Sequence, residues 1–130
     1  MKKIEHIGIA VKSIENANKI YTSLLGYSPY KTEEVKSEGV KTSFFKTGDS
    51  KIELLEATNP ESPIAKFIEK KGEGIHHIAY QVEDLEGNLK ILEEKQIELI
   101  DKKPKTGAEG NKIVFLHPKS TFGVLTELCE

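Results

Sequence analysis

The sequence has no tryptophan, one methionine and one cysteine in 130 residues. With Cys129 as the sole thiol, no internal disulfide can form, and the fold must be held by packing. No apolar run reaches the roughly 18–20 residues that a membrane-spanning helix requires, so no membrane partner is expected. An excess of either charge is also missing: 19 Lys+Arg oppose 21 Asp+Glu, for a net charge of −2. Nucleic-acid binders usually carry a basic patch or a basic balance, so nucleic acid is not an expected partner. Met1-Lys2-Lys3 runs directly into strand-like sequence, without the apolar core of a signal peptide. Together with the single cysteine, this predicts a cytoplasmic protein. A phosphate-cradling loop is absent too, because Gly107-Ala108-Glu109-Gly110 does not fit the P-loop pattern. There is no low-complexity segment.

What is present suits a globular chain: 37% hydrophobic and 31% charged residues. The length allows one domain, or two small repeated modules sharing a core. Residues 3–11 predict a strand rich in β-branched Ile4, Ile7, Ile9 and Val11. Ser13 is a helix N-cap candidate. Ala17, Ile20, Tyr21, Leu24 and Leu25 follow at helical spacing, and Gly26 suits a left-handed cap. Strands are expected at about 28–35, 40–46 and 51–57, with turns at Gly39 and at Thr47-Gly48-Asp49-Ser50. Ser62 and Pro63 open a short helix carrying Ile64, Phe67 and Ile68, which Gly72-Glu73-Gly74 ends.

The stretch Gly74-Ile75-His76-His77-Ile78-Ala79-Tyr80-Gln81-Val82 then opens as the chain began. Asp84 can cap a helix with Leu85, Leu89 and Leu92 inward. Strands are expected at about 98–102, 112–117 and 123–129. Module one is thus 1–57, a connector runs 58–73, and module two is 74–130. Each module reads strand, helix, three strands.

The echo between the halves has a constant offset. His6, Ile7, Val11, Ile14, Ile20 and Phe44 correspond to His77, Ile78, Val82, Leu85, Ile91 and Phe115, 71 positions on. Glu53-Leu54 then corresponds to Glu127-Leu128, 74 positions on, after three inserted residues. Each module therefore supplies one histidine on its first strand and one glutamate on its last. Any one of these taken alone reads as an ordinary strand residue. His6, Glu53, His77 and Glu127 together form a candidate set for a divalent transition metal, since two imidazoles and two carboxylates suit cobalt, zinc, nickel, manganese or iron better than calcium or magnesium. Of the doubled histidines, the repeat selects His77, and His76 points to the opposite face of its strand. Lys119, Ser120, Asn111 and Lys112 lie on loops late in module two. They are candidates for binding a phosphate-bearing substrate, or else an ordinary solvated basic loop.

Several segments resemble the vicinal oxygen chelate superfamily, and in particular its methylmalonyl-CoA epimerase branch. They are His6-Ile7-Gly8-Ile9-Ala10-Val11, Lys51-Ile52-Glu53-Leu54-Leu55-Glu56, Ser62-Pro63-Ile64-Ala65-Lys66-Phe67, Gly74-Ile75-His76-His77-Ile78-Ala79, and Phe115-Leu116-His117-Pro118-Lys119-Ser120 with Gly123-Val124-Leu125-Thr126-Glu127-Leu128. The resemblance covers nearly the whole chain. It implies an α+β fold in which two tandem βαβββ modules form a cupped mixed β-sheet around a metal site. It also implies one divalent metal per chain on His6, Glu53, His77 and Glu127, an acyl-CoA substrate and a homodimer. The implied reaction interconverts (2R)- and (2S)-methylmalonyl-CoA through α-proton abstraction and a metal-stabilised enolate, with Glu127 and Glu53 as the acid/base residues. Some epimerases of this branch place a carboxylate base at the position of Thr42, and this chain does not. The rival readings are a glyoxalase I type lyase acting on a glutathione hemithioacetal, which would use the same ligands, and a non-catalytic binding or resistance protein, which would not need all four.

Overall fold

A computed structural model describes all of residues 1–130. Eight strands and three α-helices follow one another as β1 (Lys3–Ala10), α1 (Ile14–Leu25), β2 (Lys31–Val35), β3 (Val40–Thr47), β4 (Ser50–Ala57), α2 (Pro63–Lys71), β5 (Gly74–Gln81), α3 (Leu85–Glu94), β6 (Lys105–Thr106), β7 (Lys112–Leu116) and β8 (Thr126–Cys129). The order βαβββ occurs twice, with α2 between. The chain divides into two compact units, one of Met1–His6 with His77–Glu130 and the other of Ile7–His76. The division falls inside β1 and β5, so the first residues of the chain, His6 included, group with its second half.

In the Ile7–His76 unit, β2, β3 and β4 are antiparallel neighbours, with the end of β1 beyond β4. Residue Val11 donates its N–H to the Leu55 carbonyl. Helix α1 starts where the Ser13 hydroxyl accepts from the Asn16 N–H, and it stops at Gly26, whose φ of 87° is open to glycine at little cost. Its inward residues are Ile14, Ala17, Tyr21 and Leu25, packed with Val11, Phe45 and Leu54. Ile20 and Leu24, expected in that stripe, stand exposed. A helix gains only about 100° of buried face from one layer of sheet, and Ile14 rather than Ile20 sets its direction. Helix α2 covers a second cluster of Ala10, Val40, Leu55 and Ile64.

In the other unit the strand order is the start of β1, then β5, β8, β7 and β6. Strands β5 and β8 run parallel, with Ala79 opposite Glu127, and β8 is antiparallel to β7, with Phe115 opposite Glu127. A parallel pair needs a crossover, which α3, β6 and β7 provide. Asp84 caps α3 by accepting from the Gly87 N–H. Leu85 and Leu89 pack with Val82, Val114, Leu116 and Leu128.

Two expected strands are shorter than their apolar patterns. The segment 98–102 makes only an isolated bridge between Leu99 and Leu116, with flanking bonds from the Ile100 N–H to the Phe115 carbonyl and from the His117 N–H to the Glu98 carbonyl. The last strand begins at Thr126 rather than at 123, because Phe122 and Gly123 both have positive φ, 55° and 92°. That left-handed pair ends a short 3₁₀ turn, Pro118–Thr121, and breaks the extended run.

Candidate metal centre

Register brings the candidate residues together. Alternate residues of a strand share a face, so His77 lies on the face of Ala79, and Ala79 pairs with Glu127 on the next strand. His6, on β1 in the same unit, completes the group. The His6 and His77 Nε2 atoms are 3.0 Å apart. Glu127 Oε2 is 3.2 Å from His77 Nε2 and 3.7 Å from His6 Nε2. All three residues are buried, and their three ligand-type atoms lie within 4.8 Å of one another.

Two of these separations, 3.0 and 3.2 Å, match what a small cation demands, and the third, 3.7 Å, is slightly wider. Ligand atoms about 2.0–2.2 Å from an ion stand roughly 3.0–3.5 Å apart at angles between square and tetrahedral. Two imidazole nitrogens and one carboxylate oxygen make a donor set for a divalent transition metal. The residues present therefore fit such an ion.

Electrostatics within the group are one-sided. Burial by itself would push the Glu127 carboxyl up. In their protonated form His6 and His77 both donate to it and attract it, which outweighs burial and holds the carboxyl at about 2 in the metal-free fold. Glu127 is thus an ionised carboxylate removed from water. The His77 ring meets the Phe115 ring edge-on, 5.6 Å between centroids, and the Lys105 ammonium lies 5.4 Å from the Phe115 centroid. Lys105 also pairs with Asp101 at 3.4 Å. The Phe115 ring therefore stands beside His77, with the Lys105 ammonium against that ring.

The fourth candidate, Glu53, is buried on β4 in the other compact unit, with Phe44 as its cross-strand partner. The pairing Phe44–Glu53 on β3 and β4 reproduces Phe115–Glu127 on β7 and β8. Sequence offsets of 71 and 74 thus correspond to one structural position. Thr42 is fully buried, and its hydroxyl donates to the Glu33 carbonyl at 3.0 Å. His76 packs its ring on Phe67, 4.9 Å away, as a residue on the opposite face of β5 would.

The loop candidates have partners of their own. The Lys119 ammonium pairs with Glu98 at 2.8 Å and holds that carboxyl below its usual range, chiefly by the hydrogen bond it donates. The Ser120 hydroxyl accepts from the Glu98 N–H at 3.0 Å. The Asn111 carbonyl accepts from the Gly107 N–H, and Lys112 exchanges backbone hydrogen bonds with Glu130. Sequence reasoning overlooked Glu5, a buried carboxylate whose Oε1 is 3.4 Å from His6 Nδ1. The available signal was its place directly before a ligand candidate. Lys105 carried no such signal, since its loop holds several lysines.

Comparison with known proteins gives this geometry a family. A sequence profile of the Glyoxalase/Bleomycin resistance protein/Dioxygenase superfamily matches residues 5–115. The uncharacterized protein YqjC of Bacillus subtilis (strain 168) is 44% identical over 130 residues, 100% of this chain and 93% of that protein. The ethylmalonyl-CoA/methylmalonyl-CoA epimerase of Cereibacter sphaeroides is 38% identical over 128 residues, 97% of this chain and 96% of that one. A variant of Streptomyces coelicolor methylmalonyl-CoA epimerase, in complex with 2-nitronate-propionyl-CoA, matches with a TM-score of 0.93 at 34% identity, covering 99% of this chain and 94% of that one. The fold is therefore the α+β fold of the glyoxalase and bleomycin resistance proteins. The chain belongs to the Glyoxalase/Bleomycin resistance protein/Dioxygenase superfamily, and within it to the methylmalonyl-CoA epimerase family.

Proposed function

We propose that this protein is a metal-dependent methylmalonyl-CoA epimerase, interconverting the (2R) and (2S) thioesters. The observation that carries the reading is the convergence of His6, His77 and Glu127 in a chain whose full-length relatives are named for this reaction. His6, His77 and Glu127 hold one divalent transition ion, cobalt, zinc, nickel, manganese or iron. Glu53 joins the set as the repeat counterpart of Glu127, supported by the shared phenylalanine–glutamate register. When bound, the ion supplies positive charge beside the thioester oxygen, where loss of the α-proton leaves negative charge.

Inversion requires one group to take the proton from the α-carbon and another to return one to the opposite face. The C–H electron pair moves into the thioester to give the enolate, and the returning proton rebuilds the C–H bond with the other hand. Thr42 does not serve, because an alcohol is a poor base and its hydrogen is committed to the Glu33 carbonyl. The carboxylates Glu127 and Glu53 are the assigned pair. A carboxylate held at about 2 in the metal-free fold is a weak base, so Glu127 would act as a base only once freed from its partners in the site. Burial then works in its favour, since desolvation raises a carboxylate's proton affinity.

Lys119, Ser120, Asn111 and Lys112 meet the phosphates of the CoA tail in this reading, with the exposed Lys119 exchanging Glu98 for phosphate. The chain acts in the cytoplasm as a homodimer, the latter by family habit. The test is deuterium uptake at the α-carbon of methylmalonyl-CoA in heavy water, followed by mass spectrometry. Metal-loaded protein incorporates deuterium, and Glu127→Gln slows incorporation by at least about 100-fold, the usual worth of an acid/base group. Undiminished exchange in metal-loaded Glu127→Gln removes its acid/base role. A wild type inert on this substrate but active on a glutathione hemithioacetal replaces the epimerase by the lyase.

A further inference from the structure

Glu5 takes no part in the proposed reaction, yet it is one of the few buried carboxylates of the chain, 5% exposed. Placing a carboxylate out of water costs several kcal/mol or more unless partners compensate. Two partners lie close by. Lys3 Nζ is 3.9 Å from Glu5 Oε2, and His6 Nδ1 is 3.4 Å from Glu5 Oε1.

The second contact bears on chemistry. His6 divides its ring nitrogens between two neighbourhoods: Nδ1 faces Glu5, and Nε2 faces His77 Nε2 at 3.0 Å and Glu127 Oε2 at 3.7 Å. A neutral imidazole carries a single N–H, and an ionised carboxylate can only accept. The Glu5 contact is therefore satisfied when the proton sits on Nδ1. Nε2 is then a bare lone pair aimed into the cluster, the form of histidine that binds a metal.

We propose that Glu5 is the positioning residue of this metal centre: it fixes His6 as the Nδ1–H tautomer, so that Nε2 presents its lone pair to a divalent transition cation. The inference rests on the metal-binding part of the proposed function and not on the substrate. One consequence follows within the cluster. With His6 Nε2 bare, the 3.0 Å contact between the two rings is donated by the His77 Nε2–H in the metal-free protein.

The test has two arms. Nitrogen–proton correlation spectra of the metal-free wild type, taken well above the ordinary imidazole titration range, are expected to show His6 protonated on Nδ1. A His6 proton found on Nε2 overturns the proposal, and this arm needs no variant to fold. In the second arm cobalt affinity is measured by competition with a chelator. Glu5→Leu is expected to weaken binding about 10–100-fold, the usual effect of losing such an outer partner. Glu5→Gln keeps an oxygen acceptor and should recover most of that loss. A folded Glu5→Leu that binds cobalt as tightly as the wild type overturns this inference and leaves the epimerase reading intact. A wild type that takes up no cobalt removes the metal reading and this inference with it.

Discussion

Glu127 is a carboxylate buried against two imidazoles, and its depressed pKa makes it a stabilising charge in the metal-free fold. The carboxyl drops from 4.5 to about 2 on folding. The folded state therefore binds this proton less readily than the unfolded state. Its contribution is fully present above 4.5 and is lost as pH falls from there toward about 2. The size is on the order of 3 kcal/mol, from about 1.4 kcal/mol per pKa unit. Urea unfolding of the metal-free protein across this window should show stability falling with pH, and Glu127→Gln should flatten that slope. An identical slope in the variant counts against the assignment. At this scale the three clustered residues were legible because a repeat marks equivalent positions without any knowledge of the fold. Glu5 was passed over although it directly precedes His6, because strand alternation directs neighbours to opposite faces. Only the placed His6 ring shows its second nitrogen turned toward Glu5.

Among the elements, the helix ends followed local chemistry most closely. Ser13, Ser62 and Asp84 all accept from the first turn of their helices. Ser62 is almost fully buried, and its hydroxyl is 3.2 Å from the Ile64 N–H. Ser62→Ala should cost about 1 kcal/mol of stability, the usual worth of an N-cap, read as a lower denaturant midpoint with unchanged slope. An unshifted midpoint would mean that the hydroxyl does not act as a cap. Caps are legible because they involve residues two or three apart. The faces of α1 were less so: five apolar positions fitted one stripe, but contact with Val11, Phe45 and Leu54 selected Ile14, Ala17, Tyr21 and Leu25. Strand lengths in the second half were also hidden. The left-handed Phe122 shortens β8, and nothing in its side chain announces that conformation, which bulky residues rarely adopt.

At the scale of the whole molecule, the proposed homodimer makes a physical prediction. Ile20, Leu24, Ile75 and Phe122 are all more than 60% exposed, large apolar side chains of the kind an interface between copies covers. Light scattering on the purified protein should give twice the 14.5 kDa chain mass. A mass of one chain across the working concentration range removes the dimer. The sequence by itself determined the order βαβββ of the first module and, but for the place of β6, of the second, together with the three capped helices and the identity of the repeated histidines and glutamates. Those features depend on periodicity and on neighbours a few residues apart. Only tertiary structure decided that the start of β1 groups with the second half of the chain, and that β8 lies parallel to β5 with Ala79 opposite Glu127. Pairings between distant segments are set by which strands can close a common core, and a local pattern does not encode that choice. Those pairings bring three ordinary strand residues within 4.8 Å, close enough for their lone pairs to share one cation.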